Sequence, residues 1–120
     1  MLKNTATTLT IAGLLTVAAA GVATAQPLSG RGPCGGTTCV STAGAAHAGT
    51  LYLDYDLQGG GYAQELKLIA NNVDLSGCSF SNVVHAPATG TMTCHLGSSA
   101  QVVAYARMQN TASGAVGWHQ

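Results

Sequence analysis

Four cysteines, Cys34, Cys39, Cys78 and Cys94, constrain this chain more than any other feature, because little else in it can hold a core together. The sequence opens with Lys3, runs uncharged through residues rich in Leu, Ile, Val, Ala and Thr, and reaches Ala23-Thr24-Ala25 just before Gln26. Positive charge, apolar run and small-x-small site together make the pattern of a secretory signal peptide, so residues 1–25 are expected to be removed. The alternative is a retained anchor. The run from Asn4 to Gly30 has the length for one, but no basic cluster follows it to stop transfer. In a chain exported to an oxidising compartment, an even number of cysteines reads as disulfides.

Removal of 25 residues from 120 leaves 95, the size of one domain. Leu, Ile, Val and Phe supply only 17 of those 95, which is thin for a core. A disordered chain of this kind would carry a large net charge. Here Arg31, Lys67 and Arg107 stand against Asp54, Asp56, Glu65 and Asp74, a net charge of 3 − 4 = −1, so folding is expected if the core is stapled. Four cysteines allow three pairings. Cys34 with Cys39 and Cys78 with Cys94 is preferred because each closes a short loop, contributing roughly 2 and 3 kcal/mol on the loop-entropy account. The crossed pairing, Cys34 with Cys94 and Cys39 with Cys78, stays open as an alternative.

So few charges exclude some partners. There is no basic patch for nucleic acid and no cationic amphipathic stretch for a membrane after signal cleavage. Weak charge also gives little colloidal repulsion, which favours self-association.

Residues 26–49 are rich in glycine and small side chains, which predicts an irregular N-terminal arm pinned by a short disulfide loop. From residue 50 to 120 the texture changes to short β-prone runs. Thr50 to Leu57 alternates, with Leu51, Leu53, Tyr55 and Leu57 on one face and Tyr52, Asp54 and Asp56 on the other. After Gly59-Gly60-Gly61, Leu66, Leu68 and Ala70 recur at period two through Gln64 to Ala70, and the two runs are expected to form a hairpin through a loop of two residues (Gly59, Gly60) or four (Gly59 to Tyr62), the four-residue version setting Asp54 opposite Lys67. Further strands are predicted at Ser79 to His85, Thr91 to Leu96, Gln101 to Met108 and Ala115 to His119. No helical stripe intervenes. The expected fold is all-β, a small antiparallel sandwich or Greek-key barrel stabilised by two disulfides. Parity places Cys78, Phe80 and Val84 on one face of their strand, and Met92, Cys94 and Leu96 on one face of theirs.

Asp54-Tyr55-Asp56-Leu57-Gln58-Gly59, followed by Glu65, resembles the calcium loop of the EF-hand family, with acidic groups at loop positions one and three, glycine at six and glutamate at twelve. The resemblance covers 12 residues and implies Asp54, Asp56, Gln58 and Glu65 as ligands, with the Gly60 carbonyl. It departs from the family at Gln58, where Asp or Asn is usual, and in its flanks, where strand alternation replaces helices. His47, His85, His95 and His119 show no metal-ligand spacing, and no cofactor is expected. There is no G-x-S-x-G turn, export to an oxidising compartment predicts no free thiol to serve as nucleophile, and two carboxylates on one strand do not readily flank a sugar bond. No catalytic residue is therefore named. Tyr52, Tyr62 and Trp118 are the candidate binding aromatics.

Together these observations predict a secreted, non-catalytic protein that binds an extracellular protein or glycan, or inhibits an extracellular enzyme. A calcium- or small-ligand-binding protein using the Asp54 to Glu65 loop is the first alternative. A small secreted hydrolase is the second.

Overall fold

Period-two alternation turns into two layers of strand in the computed structural model, which describes residues 29–120. The signal peptide expected at 1–25 lies outside the described residues. In chain order the strands are β1 (Ser29–Gly35), β2 (Thr38–Val40), β3 (Gly44–Ala46), β4 (Gly49–Gly59), β5 (Ala63–Ala70), β6 (Val73–Phe80), β7 (Ala88–Leu96), β8 (Ala100–Met108) and β9 (Ser113–His119). No helix occurs among the described residues. Leu51, Leu53 and Leu57 of β4 are fully buried, as are Leu66 and Leu68 of β5 and Val102, Ala104 and Ala106 of β8. Their neighbours of opposite parity, among them Asp56, Glu65 and Lys67, turn outward into ion pairs.

Every strand pairing is antiparallel, and the ladder runs β6-β5-β8-β2-β1-β9-β4-β7, with β3 added beside β8. The corner is turned by β1, whose Ser29 to Pro33 part pairs with β9 while Cys34 and Gly35 pair with β2. That crossing needs Gly32, because a Cβ there would lie 1.9 Å from the Val40 carbonyl oxygen. A principal extent of only 20 Å matches two sheets about 10 Å apart with their outer side chains. The folded chain is an all-β antiparallel sheet nearly closed into a flattened barrel.

Closure is completed covalently. The two ends of the ladder, β6 and β7, share no ladder among the described residues, yet Cys78–Cys94 ties them at a Cα separation of 5.5 Å. To reach across, the middle of β6 leaves β5. Register jumps from Lys67↔Ser79 to Ile69↔Asp74, so residues 75–78 bulge out opposite the single Leu68. Cys34–Cys39 forms the other disulfide, and no free cysteine occurs among the described residues. The preferred pairing therefore holds, and the crossed one does not.

Three expectations are corrected. β4 and β5 do not form a hairpin: β4 is bonded to β7 on one side and β9 on the other, so neither of its edges is left for β5. Asp54 consequently faces Thr91 and Gly117 rather than Lys67, and Gly59 to Tyr62 carries the chain from one layer to the other. The strand expected at Ser79 to His85 begins and ends earlier, because Asn71 and Asn72, with φ of 50° and 68°, make a two-residue turn that starts β6 at Val73. Asn82, with φ of 57°, then follows the end of that strand at Phe80. Finally, the segment expected to be an irregular arm supplies β1, β2 and β3, three short strands bonded into the ladder.

Candidate functional site

One end of the barrel is built from four connections: residues 36–37, 59–62, 81–87 and 109–112. None contains Asp, Glu, Lys or Arg, so these connections bring no carboxylate, ammonium or guanidinium to this end. Backbone bonds sew the connections to one another. The Ala86 N–H donates to Gly61 O at 2.9 Å, Gln109 N–H to Tyr62 O at 3.0 Å, Asn110 N–H to Gly60 O at 3.0 Å and Ala112 N–H to Gly36 O at 2.7 Å. The Gln109 side chain completes the lacing by accepting from the Tyr62 N–H at 3.0 Å. So tight an approach requires glycine at position 61, where φ is 75° and a Cβ would stand 2.7 Å from Gln109 Oε1.

Two large apolar side chains project from this laced surface, Tyr62 at 44% exposure and Val83 at 61%. Tyr62 is braced by the His85 imidazole, which meets it edge-on at 4.5 Å. His85 is braced in turn, with Nδ1–H donating to Ala86 O at 2.6 Å. Beneath Val83, Val84 is buried and its carbonyl accepts from the Ala63 N–H at 2.8 Å, so the loop is pinned on the core side of its exposed tip.

The remaining candidate residues lie elsewhere. Tyr52, Asp54, Asp56 and Gln58 share the outer face of β4. Asp54, 9% exposed, accepts from Thr91 Oγ1 at 2.8 Å and from His119 Nδ1 at 2.6 Å, and the His119 ring stacks on Tyr52 at 4.8 Å. Asp56 accepts from Thr89 Oγ1 at 2.9 Å and from Gln58 Nε2, with Arg31 at 3.6 Å. Glu65 is not among them. It sits on β5 in the other layer, 2.9 Å from both Lys67 Nζ and Arg107 Nη2, and those hydrogen bonds, from Arg107 first, hold its carboxyl below the usual range. Lys67 also reaches Asp74 at 3.2 Å and lies 5.4 Å from the centre of the Tyr105 ring. The four oxygen ligands implied by the calcium-loop resemblance are thus divided between two layers. No group of three or more His, Cys, Asp or Glu side chains suited to a metal ion occurs among the described residues.

No family model matches the chain, and no curated protein or solved structure matches it. The surfaces themselves therefore carry the functional reading.

Trp118, named as a binding aromatic, is 2% exposed and belongs to the core, opposite Leu53 in the ladder. Tyr52 is half-buried in its stack with His119, which leaves Tyr62 as the exposed member of the three. Val83 and Gln109 do not stand out in the sequence, and His85 is weighed there only for metal binding. The signal was present in Asn82 and Pro87, two turn residues bracketing what otherwise reads as an apolar strand.

Proposed function

We propose that this chain is a non-catalytic extracellular binding module that holds a protein partner at its loop-built end. The observation that carries the proposal is the lacing of four connections around exposed Tyr62 and Val83. A surface already fixed in the free protein loses little conformational entropy when it is covered. Tyrosine on a background of Gly, Ser and Asn is also the composition of adaptable binding loops, with the aromatic ring as anchor. Two disulfides put the folded chain in an oxidising environment, which agrees with action outside the cell. Among the described residues, no helix is long and apolar enough to cross a membrane.

The test is capture from culture supernatant or host extract with the tagged mature chain, followed by affinity measurement on the protein it retains. Tyr62→Ala and Val83→Asp are each expected to weaken binding by more than about tenfold, a loss of over about 1.4 kcal/mol. Glu65→Gln, on the outer face of β5 and outside the four connections, is expected to bind as the unaltered protein does. A partner indifferent to both loop-end variants would remove the proposal, and retention of a glycan instead would reassign the partner class.

A further inference from the structure

We infer that Cys78–Cys94 is a redox-sensitive latch on the barrel seam: a dithiol reductant opens it, and the β7 edge so released pairs with the β7 edge of a second copy. The inference is independent of the loop-end proposal and rests on the unequal positions of the two disulfides. Cys34 and Cys39 are already partners in the β1–β2 ladder, and β1 and β2 are bonded onward to β9 and β8. Loss of that bridge leaves the strands laddered. Cys78–Cys94 instead joins two strands that share no ladder among the described residues.

The latch also sits where opening is easiest. Residues 75–78 have left the β5 ladder, and Ser76, Gly77 and Ser79 are exposed around the buried Cys78. A segment with few backbone partners lifts at less cost than a laddered strand, and such lifting admits the reductant to the sulfurs. One thiolate of the reductant attacks a cystine sulfur, giving a mixed disulfide and releasing one cysteine thiolate. Its second thiolate then closes the reductant's own disulfide and frees the other cysteine. Two electrons and two protons pass to Cys78 and Cys94.

Once freed, the two edges differ. β6 carries Asp74 and the bulge, both of which discourage strand addition. β7 has no charge, no proline and an unbroken register with β4 from Ala88 to Leu96, so it offers a straight, undefended edge. The 81–87 connection does not cover it with backbone bonds, since those run to Gly61 and Ala63. A second copy fits this edge by symmetry. Thr89, Thr91 and Thr93 form an exposed row centred on Thr91, and antiparallel two-fold pairing sets Thr91 against itself and Thr89 against Thr93. Cross-strand threonine pairs are favourable, and no like charges are opposed along the edge.

The experiment compares the oxidised mature protein, the same protein in dithiothreitol, and the Cys78→Ser/Cys94→Ser and Cys34→Ser/Cys39→Ser double variants. Mass is read by sedimentation, strand content by circular dichroism, and amide exchange across Val73–Phe80 by mass spectrometry. The reduced protein and the Cys78→Ser/Cys94→Ser variant are expected to keep their strand signal, lose protection in β6 and double in mass. The Cys34→Ser/Cys39→Ser variant is expected to stay monomeric when oxidised. Adding Thr93→Lys to the latch-free variant is expected to restore the monomer. Wholesale loss of strand signal without the latch would overturn the inference, since the bridge would then be a plain staple. So would an unchanged monomer with β6 still protected, or equal dimerisation of the Cys34→Ser/Cys39→Ser variant.

Discussion

Trp118 buries the largest ring in the molecule, yet its indole N–H has no hydrogen-bond partner among the described residues. A buried donor left unpaired costs about 1–3 kcal/mol, which the burial of the ring must exceed. Trp118→Ala is therefore expected to lose about 3–5 kcal/mol in denaturant unfolding. Trp118→Phe removes the unpaired donor together with part of the ring, and less than half of that loss is expected. Equal losses would show that the N–H is satisfied in solution. Glu65 supports a second prediction. Its folded pKa is held below the ordinary 4.5 by Arg107 and Lys67, so its contribution is present above that value and is lost as pH falls through the folded pKa. Lys67 is raised above 10.5, chiefly by its hydrogen bond to Glu65, so its contribution is complete below 10.5 and disappears as pH rises through the folded value. Burial raises the Tyr55 phenol above 10.0, which adds to the alkaline loss because the unfolded chain ionises first. Glu65→Gln is expected to soften the acid limb of the melting-temperature profile. The partly exposed pairs bound its effect to below about 1 kcal/mol each.

Among the elements, the β5–β6 turn makes a prediction with opposite signs at adjacent residues. Asn71 and Asn72 both have positive φ, a conformation that asparagine tolerates and glycine adopts more readily. Asn72→Gly is expected to stabilise by up to about 1 kcal/mol, since a two-residue turn of this kind favours glycine at its second position. Asn71→Gly is expected to destabilise by about 0.5–1.5 kcal/mol, because the Asn71 side chain accepts from the Gln101 N–H at 2.9 Å. Thermal unfolding of the two variants checks both signs. This turn also marks where the sequence was hardest to read. Alternation identified the inward leucines of β4 and β5 because each strand has one wet face, but alternation says which face a residue occupies and not which strand lies beside it. The glycines at 59–61 suggested a return to β4, whereas they serve a crossing between layers. β1, β2 and β3 went unrecognised because glycine and alanine give no contrast between faces. At the candidate site Tyr62 was legible from its place beside those glycines. Val83 was not, since its exposure depends on Asn82 following the end of β6.

Across the whole molecule, the described residues 29–120, with few large side chains, hold together because the sheet is nearly closed and its gap is bridged. Loop entropy alone assigns roughly 2 kcal/mol to Cys34–Cys39 and roughly 3 kcal/mol to Cys78–Cys94. The seam enlarges that difference, because only the second bridge joins strands without a ladder. Guanidinium unfolding is therefore expected to show a larger drop in midpoint for Cys78→Ser/Cys94→Ser than for Cys34→Ser/Cys39→Ser, and the reverse order would contradict the seam's role. The topology also bears on the order of events. β6 and β7 stand at opposite ends of the ladder although they are consecutive in the chain, and their cysteines are only 16 residues apart. A chain oxidised before it folds thus begins with the two ends of its sheet already clasped, and the intervening strands must fill a ring of fixed circumference. A chain oxidised afterwards lays down an open ribbon and clasps it last. The moment at which this polypeptide meets an oxidant therefore selects between two assembly routes to the same barrel, and refolding rates of oxidised and reduced starting material are expected to differ accordingly.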